Sequence, residues 1–144
     1  MVKKILVGIV VVIVVFVIAL QIVPYGHAHA NPPVQAEPKW DSPQTRELAK
    51  RACFDCHSNE TVWPWYSNIA PVSWLIQHDV DEGRSRLNFS EWNRPQREAR
   101  NAARQIQRGA MPLSSYLVLH PSARLASDEA LALIRGLNAS LAQP

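Results

Sequence analysis

The chain has 144 residues, 47% of them hydrophobic and 19% charged, with a formal net charge of +3. That charge falls to about +1 once Lys3 and Lys4 are set aside with the N-terminal segment, so it gives no pointer to nucleic acid. No internal repeat and no glycine-rich phosphate loop is seen, and the part after Pro24, about 120 residues, is within the range of a single domain.

Lys3 and Lys4 precede an uncharged apolar run from Ile5 to Val23, interrupted only by Gln21. As a helix these nineteen residues would span about 28 Å, close to the hydrocarbon thickness of a bilayer. Lysines before the run hold the N-terminus in the cytoplasm and place the remainder outside. A cleaved signal peptide is the rival, with Ala28-His29-Ala30 as its small-x-small site and a soluble product starting at Asn31. The run exceeds the usual signal core of roughly 7–15 residues, which favours an uncleaved anchor. The expected division is an anchor over 1–24, a proline-rich linker over 25–41, and one domain over 42–144. Pro32, Pro33 and Pro38 make the linker extended.

Ser42-Pro43 is a helix start, a cap residue followed by proline at the first helical position. The segment from Gln44 to Ala52 carries Leu48, Ala49 and Ala52 at helical spacing and leads into Cys53-Phe54-Asp55-Cys56-His57. That run is the attachment signature for c-type haem. Two thiols can add across the vinyl groups of one porphyrin, and the adjacent His57 is then the proximal iron ligand. These are the chain's only two cysteines. A dithiol redox pair, a disulfide or half of a zinc site would use the same Cys-x-x-Cys. No strand pattern of the thioredoxin type precedes Cys53, and no second Cys-x-x-Cys or His-x3–5-His pair is present. Export agrees with haem attachment, which in bacteria takes place outside the plasma membrane. The expected location is therefore the bacterial inner membrane, single-pass through residues 5–23, with the domain in the periplasm. A covalently held haem would supply much of the apolar centre of so small a domain.

Trp63-Pro64-Trp65-Tyr66 follows, and Pro64 and Pro71 argue against a continuous helix there. Trp63, Trp65 or Tyr66 could bond a haem propionate or simply pack. Pro71 to Glu82 predicts a second helix with Gly83 as its stop. A third is expected from Ser90 or Asn93 to Arg108, stopping at Gly109. On it Arg97, Arg100, Arg104 and Arg108 would form one stripe, either a solvated face, a docking patch for an acidic redox partner, or a source of one propionate-neutralising arginine. Ser127-Asp128-Glu129 starts a final helix, with Leu131, Ile134, Leu137 and Leu141 on one face. The reading is an all-α, cytochrome-c-like domain of four helices around one covalently attached haem, preceded by a transmembrane helix.

With His57 on one side of the iron, the sixth position is open. Met111, in Gly109-Ala110-Met111-Pro112, is the preferred ligand: a thioether is soft and neutral and favours Fe(II). Met111 could instead fill a core gap. His78 and His120 compete, and an unligated iron is a third case. His78 has Asp79 beside it, which suggests an exposed position, and His120 precedes Pro121 on the same loop as Met111.

From about Asn31 onward the chain resembles the bacterial haem-binding domain family. The stretches that carry this are Asn31-Pro32-Pro33-Val34, Cys53 through Asn59, Thr61 through Pro71, Gly83-Arg84 with Leu87 through Trp92, and Met111-Pro112 with Tyr116 and His120-Pro121. The family usually shows a second proline after the Met-Pro pair, where Leu113 stands here. The resemblance implies a membrane-anchored, single-haem protein of cytochrome-c type and names no partner. The leading function is a tethered one-electron carrier with haem c on Cys53 and Cys56, His57 and Met111 as iron ligands, and an unknown redox partner protein. The alternative is a five-coordinate haem protein, peroxidase-like or sensing a small ligand, with His78 or His120 as a distal acid–base group. A haem-free thiol–disulfide protein is the third reading.

Overall fold

The computed structural model describes residues 1–141. Among them the fold is all-α, with seven α-helices, three short 3-10 turns and one isolated parallel bridge from Ala36 to Glu91. The chain divides into two compact units, residues 1–30 with 63–79, and residues 31–62 with the chain from 80 onward.

In the first unit, α1 (Val2–Leu20) is apolar on every side beyond Lys3 and Lys4, none of its residues is buried, and it is long and apolar enough to cross a membrane. It begins and ends three residues before the apolar run does. Gln21 closes it by donating from its side chain to the Val17 carbonyl at 2.9 Å. Residues 65–68 form a 3-10 turn between Pro64 and Pro71. The helix α4 (Val72–Arg86) then begins in this unit and ends in the other. Gly83 does not stop it. The helix passes through Gly83 because that position is packed against backbone, where only hydrogen fits.

The second unit is built on α2 (Pro43–Ala52), α5 (Ala102–Gln107) and α7 (Ser127–Leu141). Ser42 caps α2 by accepting from the Thr45 N–H at 3.2 Å, with Pro43 at the first helical position. Leu48 and Ala49 from α2, Ala103 from α5, and Leu133, Leu137 and Leu141 from α7 share one core with Phe54, Leu87 and Phe89. The buried stripe of α7 runs through Leu133, Leu137 and Leu141, whereas Leu131 is exposed and Ile134 half-buried. The reason for this rotated register is Gly136. A Cβ there would overlap the Thr45 side chain, so α7 turns its glycine face to α2.

The long third helix is absent. Residues 88–98 form turns, a 3-10 turn covers 99–101, and only Ala102–Gln107 is helical. Side chains satisfy the backbone in its place: the Gln96 side chain accepts from Asn88 N–H and donates to the Glu91 carbonyl, and Asn88 accepts from Ser90 N–H. Pro95, lacking an N–H, fits this better than a helix interior. The arginines therefore do not form one helical stripe; Arg97, Arg100, Arg104 and Arg108 are each exposed. The proline-rich stretch is extended but fastened, since Ser90 O accepts from the Gln35 and Ala36 N–H groups and Ala36 O accepts from Trp92 N–H. A short helix not anticipated, α6 (Ser114–Leu119), lies within the expected loop between Met111 and His120.

Candidate functional site

The Cys-x-x-Cys-His run folds as α3 (Phe54–His57), a single turn entered directly from α2. Its Phe54 is the anchor. That ring is 2% exposed and stacks on Phe89 with centroids 5.6 Å apart, with Trp40 tilted against both. Burying an aromatic ring of this size stabilises by about 2–3 kcal/mol, enough to fix the turn that carries both cysteines.

Three groups then hold the motif in place. The Cys56 main chain lies directly under Gly83, where a Cβ would stand 2.9 Å from the Cys56 carbonyl carbon and closer still to its oxygen. Arg84 donates to Ser58 O at 2.7 Å, to Thr61 Oγ1 at 2.9 Å and to Asn31 Oδ1 at 2.9 Å. Asn59 accepts from Asn88 Nδ2 at 2.8 Å, its N–H donates to Ser90 Oγ at 2.9 Å, and Phe89 N–H donates to His57 O at 2.8 Å. These partners are polar side chains and backbone atoms scattered over loops, and no local pattern gives them this role. Their signal in the sequence is that Ser58-Asn59, Gly83-Arg84 and Asn88-Phe89-Ser90 fall within stretches that carry the family resemblance.

His57 Nδ1 lies 3.0 Å from the Leu87 carbonyl and 3.1 Å from the Gly83 carbonyl. Both partners can only accept, so Nδ1 carries the proton. In the neutral ring Nε2 is then the basic nitrogen, in the tautomer a metal-binding imidazole needs. Burial pushes the His57 pKa down, against the opposing pull of the two carbonyls, and so keeps that ring neutral.

His57 and Cys53 open on a cavity of about 330 Å3. Its size is within the range of small-molecule and cofactor sites. The wall is mostly apolar: Leu87, Phe89, Ile106, Leu113 and Leu137, with Ala52, Ala102 and Ala110. Arg86, Arg108, Glu98 and Gln105 supply its polar groups, and Met111 lies on the same wall. Met111 arrives there through the end of α5. Gly109 takes φ +70°, its N–H bonds Ile106 O at 2.9 Å, and Ala110 N–H bonds Gln105 O at 2.9 Å. This is a Schellman motif, and it reverses the chain so that Ala110, Met111 and Leu113 line the cavity. Met111 N–H adds a further bond to Gln105 O at 3.2 Å.

The other expected groups lie elsewhere. Cys56 does not line the cavity, although its backbone is part of α3 beneath α4. His78 is exposed and belongs to the first unit. His120 stacks on the Tyr116 ring at 4.0 Å and bonds the Tyr116 carbonyl through Nδ1 at 3.0 Å, away from the cavity wall. The wall is drawn from the second unit, whereas Trp63, Trp65 and Tyr66 are in the first. Of the four arginines expected in a stripe, Arg108 alone reaches the wall.

Cys53 and Cys56 are thiols, not a disulfide. Cys53 is half-exposed only because it opens on the cavity. Its sulfur is otherwise packed, and that burial, with Cys56 alongside, pushes its pKa up to about 12. A dithiol redox pair needs the opposite, a thiolate favoured near neutral pH. No cluster of three or more His, Cys, Asp or Glu side chains able to hold a metal ion occurs among the described residues. What remains fits a haem: a mostly apolar cavity, one imidazole with its basic nitrogen available, one thioether and one cysteine on the same wall.

The fold and cavity define a small all-helical protein built around a cofactor site. Residues 15–139 match the haem-binding domain family, and the chain belongs to that family. No curated protein and no solved structure matches it significantly.

Proposed function

We propose that this haem-binding protein is a membrane-anchored c-type cytochrome that carries single electrons on the periplasmic side of the bacterial inner membrane. The observation that carries the reading is the presence of Cys53, His57 and Met111 on the wall of one apolar cavity. Cys53 and Cys56 would hold the haem through two thioether links, which would prevent its loss outside the cell. His57 would hold the iron through Nε2, its ring oriented by the Leu87 and Gly83 carbonyls. Met111, from the same cavity lining, would supply the second iron ligand. The bound haem supplies a one-electron Fe(III)/Fe(II) couple. The apolar wall excludes water and, with a neutral thioether ligand, favours the less charged Fe(II) state. Arg86 and Arg108, two exposed arginines of the cavity lining, would offset the charge of the propionates. The helix α1 is long and apolar enough to hold the protein in the membrane.

Carbon monoxide binding tests this. With Met111 on the iron, the reduced protein binds carbon monoxide slowly and incompletely at neutral pH, and Met111→Ala binds it at once. Rapid binding by the unsubstituted protein would establish an open iron instead. In that case Glu98 would be the carboxylate on the wall available for acid–base work.

A further inference from the structure

The first unit has a feature that haem binding does not use. Across residues 21–30 and 63–79 the only formally charged side chain is Asp79. Large apolar groups on this stretch are nevertheless solvent-facing: Trp65 is 75% exposed, Leu75 66%, Ile69 43% and Val72 39%. Val72 and Leu75 are three apart on α4 and share its outer face, while Ser73 is fully buried on the inner one.

The position of this surface is fixed by one side chain. Gln21, the first residue after α1, donates from Nε2 to the Ala70 carbonyl at 3.1 Å and accepts from Ala70 N–H at 2.9 Å. A polar residue at the end of an apolar helix thus satisfies both backbone groups of a residue 49 positions away. Two further clasps reinforce it. Gly26 lies so close to Ser73 that a Cβ would be 2.6 Å from its carbonyl oxygen, and His29 stacks on Trp63 at 4.7 Å while bonding Ser67 O at 2.9 Å. Ala70 is therefore held at the level where the apolar run of α1 ends.

We propose that the segment from Trp65 to Leu75 is seated in the lipid–water boundary of the membrane that α1 crosses, with Trp65, Ile69, Val72 and Leu75 in contact with phospholipid. The proposal rests on α1 being a retained membrane anchor. Tryptophan favours this depth because its ring is apolar and its N–H can still find a partner. Gln21 satisfies both backbone groups of Ala70 from within the protein, which lowers the cost of covering that turn with lipid. The stretch contains no lysine or arginine, so its attachment comes from apolar burial and is indifferent to salt and to lipid charge. The first unit is then attached to the membrane by this surface as well as by α1.

The test uses the full-length haem-loaded chain in phosphatidylcholine vesicles, with the photo-crosslinker benzoylphenylalanine placed singly at 65, 75 or 12. Positions 65 and 75 are exposed, so the substitutions leave packing intact. After irradiation, lipid adducts are read by mass spectrometry against the unsubstituted chain. The proposal expects adducts at 65 and 75 at a yield comparable with that at 12, unchanged by high salt. Adducts at 12 with none at 65 and 75 would overturn the proposal and leave the anchor standing. Crosslinks from 65 or 75 to another protein chain in place of lipid would also overturn it. Loss of adducts at all three positions would remove the anchor and the proposal together.

Discussion

Tyr116 donates a 2.6 Å hydrogen bond to Asp55 Oδ2, joining α6 to the middle of the cysteine–histidine motif. The other carboxylate oxygen of Asp55 accepts from Val62 N–H at 3.0 Å. One aspartate between the two cysteines therefore ties down both the chain leaving the motif and the helix that follows Met111-Pro112. Met111 is five residues from Tyr116, so the bond limits how far the Met111 segment can swing from the cavity.

Tyr116→Phe removes that bond and leaves a carboxylate oxygen without its donor. A hydrogen bond to a charged group contributes about 1.5–3 kcal/mol, and partial exposure places this one near the lower end. The expected result is a holoprotein about 1.5 kcal/mol less stable in denaturant titration. Its reduced form takes up carbon monoxide faster than the unsubstituted protein. Unchanged uptake would mean that α6 does not restrain Met111.

Gly83→Ala places a methyl group against the Cys56 carbonyl. Either α4 moves away from α3 or the motif does. Both weaken the His57 contacts to Gly83 and Leu87. Overpacking of this kind costs about 1–3 kcal/mol. The variant should melt at lower temperature and retain less haem per chain when both are measured on the same preparation. A stability like that of the unsubstituted protein would show that the close approach is not required.

Acid sensitivity should come in part from Glu37. Arg46 donates to both its carboxylate oxygens, at 2.8 and 2.6 Å, and Trp40 donates to one at 2.7 Å. The Arg46 hydrogen bonds hold the Glu37 pKa below its ordinary 4.5, burial opposing. A lowered carboxylate pKa adds stability that is complete above the unfolded value and is lost as the pH falls through the folded one. Glu37→Gln should therefore cost about 1 kcal/mol near pH 7, with the difference from the unsubstituted protein shrinking as the pH falls from 7 to below the ordinary carboxylate range. Denaturation midpoints across that range check it. A constant difference would assign the effect to packing instead.

The parts of the fold legible in the sequence were those set by local chemistry. Ser42-Pro43 starts α2, Leu48, Ala49 and Ala52 face its core, and Gly109 ends α5. The failures share a cause, tertiary contact overriding local pattern. Gly83 looked like a stop, but its missing side chain serves the packing of α4 on Cys56. Leu131 fitted the periodicity of α7, yet Gly136 and Thr45 decide which face turns inward. Residues 90–98 carried cap and turn residues that could start a helix, and Gln96 and Asn88 use them to bond loops. At the site, the side chains with metal or thiol chemistry were legible because their residue types are rare. Their supports were not, since backbone carbonyls at Gly83 and Leu87 have no identity in sequence.

The central claim is that Cys53 and Cys56 hold a haem covalently. Intact mass under denaturing conditions tests it most directly, on protein made in a host that carries haem-attachment machinery. The account predicts the mass of the chain plus one haem, with the pigment retained through acid–acetone extraction and lost when both cysteines are changed to alanine. The bare polypeptide mass, with pigment released into the solvent, would contradict it.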